Sequence, residues 1–114
     1  MDEPTDRSSY APFILMKGKY LSLFLSDRDM PARAGVFAEK PGWEGNGYDW
    51  TAVARVILDE RLPDIKDRVE FDPEAGMFSA QGPLDALEKL GAEMKRAFDD
   101  EHLLRDLLSR AELD

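Results

Sequence analysis

With no cysteine and a single histidine, the chain leaves carboxylates as the side chains available for acid-base or metal chemistry. Three pairs stand close in sequence: Asp27 with Asp29, Asp59 with Glu60, and Asp72 with Glu74. None has a spacing that specifies a reaction. Asp27-Arg28-Asp29 opens like a calcium loop but lacks the later glycine and the terminal Glu at their required positions. Asp59 and Glu60 are neighbours on a helical stretch and diverge by about 100°. Asp72 and Glu74 flank Pro73 and can brace a turn as readily as act on a substrate. His102 has no sequence neighbour that suggests a triad, and zinc would require several His or Cys ligands. The expectation is therefore no catalytic residue, no metal and no cofactor.

The densest group of distinctive residues is Glu44-Gly45-Asn46-Gly47-Tyr48-Asp49-Trp50. Glycine tolerates positive φ and Asn tolerates it better than most residues, so the Gly-Asn-Gly centre can turn tightly and hold its neighbours in fixed directions. Asp49 is expected to cap a helix whose apolar face begins at Trp50. A turn and a cap leave Trp43, Glu44 and Tyr48 without a structural reason. The run is no phosphate cradle, because it lacks GxxxxGK and is flanked by Glu44 and Asp49, whose charge repels anions.

The elements that must position these residues follow from hydrophobic period. Two β-compatible runs, 13–17 and 20–26, surround Gly18 as a hairpin. In the second, Leu21, Leu23 and Leu25 share one face. Tyr20, Ser22, Phe24 and Ser26 share the other, which is half covered and left for solvent or a partner. Residues 27–48 are rich in Asp, Arg, Pro and Gly and read as a long loop with a short apolar island at 36–38 that could form a strand. Loops of that size more often serve binding or a lid than connection.

Trp50, Val53, Ala54, Ile57, Leu58 and Leu62 recur at helical spacing until Pro63, predicting a helix over 51–62. Residues 69–80, with Pro73 and Gly76 as turn formers, predict a second hairpin. Leu84, Leu87, Leu90, Met94, Ala97 and Phe98 line the next helix, with Gly91 marking a close approach to the sheet. A last helix follows Asp99 or Asp100 as cap and buries Leu103, Leu104, Leu107 and Leu108. The fold class is α+β: a small antiparallel sheet of about four to five strands in two hairpins, with three helices packed mainly on one face.

At 114 residues the chain fits one domain, expected over 11–114 behind a flexible segment at 1–10. Its longest apolar stretch, 13–16, is far too short to span a bilayer. No secretory signal opens it, and without cysteine it carries no need for an oxidising compartment, so the cytoplasm is the expected location. The net charge of −9, from 24 acidic and 15 basic residues, opposes a nucleic-acid partner and suits a basic protein.

Two segments together resemble a known family: residues 44–50 opening a helix, and Phe71-Asp72-Pro73-Glu74-Ala75-Gly76-Met77-Phe78 in a hairpin, followed by a leucine-rich helix. The chain is similar over residues 20–98 to the bacterial polymorphic-toxin immunity proteins called Immunity protein 51. The resemblance implies a protein that binds and neutralises a cognate toxin rather than catalysing a reaction. It points to Gly45, Gly47, Asp49, Trp50, Phe71, Asp72, Glu74, Met77 and Phe78 as residues that define the fold, with Trp50, Phe71 and Phe78 in the core. Trp43, Glu44, Asn46 and Tyr48 remain as the expected partner-binding group, since aromatics are enriched at interface hot spots. The rival reading is a regulatory module that binds a small molecule or peptide, with 27–48 as its binding loop; an enzyme using Asp72 and Glu74 ranks below both.

Overall fold

In the computed structural model, which describes residues 10–17 and 21–112, the first two apolar runs pair antiparallel as β1 (Ile14–Lys17) and β2 (Leu21–Ser26). Gly18 and Tyr20, expected in that hairpin, lie outside the described residues, as do positions 1–9 of the N-terminal segment. Tyr10 packs against the core. The second hairpin joins β3 (Glu70–Phe71) to β4 (Met77–Gln81), and β4 also pairs antiparallel with β2, giving the sheet order β1-β2-β4-β3.

The period of two divides the sheet cleanly. Leu15, Leu23 and Ala80 form one buried row, and Leu25 with Phe78 forms the next. Against these rows lie the helices α2 (Gly47–Glu60) and α3 (Leu84–Asp99), followed by α4 (Glu101–Leu108). On α2, Trp50, Val53, Ala54 and Ile57 are fully buried, and the helix ends before Pro63, which cannot continue it. On α3, Leu87, Leu90, Met94 and Ala97 are fully buried, whereas Leu84 overhangs the first turn at 40% exposure. A Cβ on Gly91 would stand 3.3 Å from the Leu23 side chain in the sheet and 3.0 Å from the Tyr10 ring, so the helix approaches the sheet closely here and a methyl would press on both side chains. Asp100 caps α4, its carboxylate accepting from the amides of His102 at 3.0 Å and Leu103 at 3.2 Å.

Residues 27–48 are not a long loop, and the island at 36–38 is not a strand. They contain a fourth helix, α1 (Pro31–Ala38), with Val36 and Phe37 buried in its last turn. Proline is suited to the first helical turn because its missing N–H has no intrahelical use there. Met30, Ala34 and Phe37 then recur at helical spacing.

Two cations fix α1 and the turn after it to distant carbonyls. Arg33 Nε donates to the Phe98 carbonyl at 2.6 Å, near the end of α3. Lys40 Nζ donates to the carbonyls of Leu108 and Ala111, both at 2.7 Å, at the end of α4. Both sit where the helix dipole favours positive charge and where terminal carbonyls lack intrahelical partners. Arg105 closes the same corner by a two-pronged pair to Glu39 at 2.8 and 2.9 Å. Arg110 likewise ties Glu60 on α2 to Asp106 on α4.

Candidate partner-binding surface

The run 44–50 is held by reciprocal bonds. Asn46, not Asp49, is the N-cap of α2: its side chain accepts from the Asp49 amide at 3.0 Å. Asp49 occupies the first turn and completes a capping box, its carboxylate accepting from the amides of Glu44 and Gly45 at 2.7 Å each and of Asn46 at 3.4 Å. A carboxylate three residues into the helix gathers the preceding amides, which is why Asp49 is only 2% exposed yet satisfied. Gly45 has φ +85°, which L side chains rarely adopt, and lies against Ala34 and Phe37 of α1.

Gly47 joins the two distinctive segments. Its amide donates to the Ala75 carbonyl at 2.9 Å, and a Cβ at this position would collide with the carbonyl oxygens of Glu74 and Met77. The start of α2 thus rests directly on the turn of the second hairpin. That turn is closed by paired bonds between Glu74 and Met77, at 2.8 and 3.0 Å. Trp50 follows into an aromatic core, edge-on to Phe13 at 5.6 Å, tilted against Phe37 at 4.9 Å and stacked with Phe98 at 5.8 Å. Its indole Nε1 is buried without a hydrogen-bond partner among the described residues.

The four residues expected to meet a partner separate. Trp43 is 8% exposed, with Lys40 Nζ 4.5 Å from its ring centroid, so the aromatic completes the corner that holds α4. Asn46 is half-buried and spends its side chain on the cap. Glu44 is exposed and Tyr48 is 50% exposed. Tyr48 also borders an open cleft of about 290 Å³ together with Asn46, Arg55 and Glu112.

The residues expected to define the fold divide too. Gly45, Gly47, Asp49, Trp50 and Phe78 are buried. Phe71 is half-buried beneath the Arg55 guanidinium at 5.4 Å. Asp72, Glu74 and Met77 stand on the surface, Met77 at 38% exposure.

The sheet face turned away from the helices was legible only in β2, through Ser22, Phe24 and Ser26. Register adds Ile14 opposite Phe24 and Met16 opposite Ser22, at 36% and 48% exposure. The sequence of β1 is apolar at three successive positions, Ile14, Leu15 and Met16, and so does not reveal which face is covered.

Of the carboxylate pairs, Asp59 and Glu60 are each engaged in an ion pair. Asp59 pairs with Lys66 at 2.8 Å and Glu60 with Arg110 at 2.6 Å. Hydrogen bonding from Arg110 holds both Glu60 and Asp106 below the ordinary carboxylate range, and Arg105 does the same to Glu39. Among the described residues no group of His, Cys, Asp and Glu is arranged to hold a metal ion, and no helix is long and apolar enough to cross a membrane.

Compared with known families, the chain falls among immunity proteins. Residues 15–113 match the family model Immunity protein 51, and the chain belongs to that family. Neither curated proteins nor solved structures gave a match.

Proposed function

We propose that the protein binds and neutralises a cognate bacterial toxin domain by protein-protein contact, without catalysis. The observation that carries this reading is the family match over residues 15–113. The distribution of side chains supports it: Asn46 and Asp49 are engaged in holding the fold, while Ile14, Met16 and Met77 are exposed on the sheet. A net charge of −9 suits a basic toxin and would speed its capture. We assign the action to the cytoplasm, since a chain without cysteine needs no oxidising compartment.

Co-expression with the toxin domain encoded beside this chain's gene tests the reading. The expected result is restored growth and a complex that survives gel filtration. Persistent toxicity in cells that contain well-folded protein contradicts it. In the alternative, a module that binds a small molecule or peptide through 27–48, the binding segment would be α1 with its flanking turns, held to the ends of α3 and α4 by Arg33 and Lys40.

A further inference from the structure

We propose that the partner docks on the face of the sheet left uncovered by the described helices and presents to it a cationic protein surface with an apolar centre, an inference that rests on the immunity reading above. The centre of the face is apolar. Ile14 and Phe24 lie opposite one another across β1 and β2, with Met16 two residues from Ile14 on the same face and Met77 opposite Ser26. Ile14, Met16 and Met77 are three of the five exposed large hydrophobic residues in the chain's described part. Between them stand serines, Ser22 and Ser26 half-buried like Phe24 itself and Ser79, opposite Phe24, buried.

One edge of the same face is acidic. Glu70 pairs with Gln81, the Asp72 amide donates to Ser79, and Glu74 bridges Met77. Alternation along this strand therefore puts Glu70, Asp72 and Glu74 on the uncovered side, opposite to Phe71. All three are exposed, and none has an ion pair among the described residues. No Lys or Arg lies at the described positions of this face in β2, β3 or β4. Four cations of the helical layer are committed elsewhere, Arg33 and Lys40 to helix ends and Arg105 and Arg110 to Glu39 and Glu60.

This asymmetry selects the occupant. A second copy would bring another net charge of −9 against an acid row that has no ion pair among the described residues, so self-association is opposed. A cationic protein surface meets the row with attraction and the centre with apolar burial. Four strands at about 4.8 Å spacing and about five residues at 3.3 Å give a face of roughly 19 by 17 Å. That is less than the roughly 800 Å² a standard interface takes from each partner, so the footprint must run over a rim. The turn end supplies one: Gly47 is bonded to Ala75, and exposed Tyr48 follows it.

The test is a binding titration of the full chain with the toxin domain encoded beside its gene, followed by stopped-flow rates at several salt concentrations. The isosteric set Glu70→Gln, Asp72→Asn and Glu74→Gln should slow association about tenfold and flatten its salt dependence. Phe24→Ser should raise the dissociation rate about tenfold. Met16→Ser, on the edge strand, repeats that readout should Phe24→Ser unfold. A control set removing equal charge outside the sheet, Asp64→Asn, Asp99→Asn and Glu101→Gln, should leave the dissociation rate and most of the association rate in place. Failure of the wild-type chain to bind overturns the immunity reading itself. Wild-type binding with unchanged rates in the face variants overturns the docking surface and leaves that reading standing. Dimerisation of the free chain that Phe24→Ser abolishes assigns the face to a second copy and also overturns it.

Discussion

The 44–50 run, seated on the backbone carbonyls of the second hairpin's turn, and the sheet face turned away from the helices are built from opposite materials. The run holds the residues that look most specialised, and its cap groups are spent inside the chain, Asn46 and Asp49 on each other's turn and the Gly47 amide on Ala75. The face is made of Ile, Met, Phe and Ser in plain alternation beside an edge of Glu and Asp, and those acids have no ion pair among the described residues. Distinctiveness in sequence thus marks where the backbone must do something unusual. The surface left for another molecule is marked by residues that the fold does not use.

Substitution can break this contrast. The largest effect is expected for Gly47→Ala, where the added methyl meets backbone oxygens of Glu74 and Met77 that cannot rotate away. A loss of about 3 kcal/mol is expected from the forced shift, read as a lower denaturation midpoint. Asp49→Ala comes next, since it orphans the Glu44 and Gly45 amides. The cost expected is about 2 to 3 kcal/mol, measured the same way. Asp49→Asn should recover part of it, because one amide oxygen can still accept.

Lys40→Met keeps the stem over Trp43 and removes the ammonium from the Leu108 and Ala111 carbonyls. About 1 to 2 kcal/mol should be lost, with faster amide exchange confined first to the end of α4. A loss spread evenly over the chain would contradict the local role given to Lys40.

The exposed ion pairs should matter less and show themselves through pH. Glu39, Glu60, Asp85 and Asp106 are held below their ordinary values, in each case first by a hydrogen bond from Arg105, Arg110, Arg68 and Arg110 respectively. A carboxylate whose folded value is lowered contributes stability above its unfolded value and loses it as pH falls through the folded one. Stability should therefore be level near neutrality and fall as pH drops below the ordinary values of 4.5 for Glu and 3.8 for Asp. Salt should shrink the effect, and Arg110→Gln should flatten it, since one guanidinium serves two carboxylates. Chemical denaturation across acidic pH checks both.

Smallest of all should be the stability change in Met16→Ser, within about 0.5 kcal/mol, because an edge-strand side chain at 48% exposure has little to lose. A large loss there would make the face part of the core and erase the contrast.

The two hairpins and the three later helices were legible because their apolar positions follow periods of two and 3.6. Helix α1 was not, since Pro31 and Gly35 read as loop and its apolar positions are few. Much of what holds this corner is supplied by carbonyls far along the chain, at Phe98, Leu108 and Ala111, which no local pattern announces. The cap shows a milder version of the same problem. Asn46 and Asp49 are both good caps, and only geometry decides that Asn46 takes the position while Asp49 reaches back. Trp43 resembled a contact residue because it stands beside Glu44 at the loop's edge, and its cover, Lys40, comes from the preceding turn. The open face was half visible, as Phe24 among serines, but Ile14, Met16 and the acid row needed register to be placed beside it.

The methionines give a direct test of the central claim, that the fold's distinctive junction is framework and the plain sheet face is the contact. Met16 and Met77 lie on that face, while Met30 and Met94 are buried at 6% and 0% exposure. With methionine methyl groups labelled and the toxin domain titrated in, the Met16 and Met77 resonances should shift and broaden while those of Met30 and Met94 stay in place. Shifts confined to Met30 or Met94, or a saturated complex in which Met16 and Met77 do not move, would contradict it.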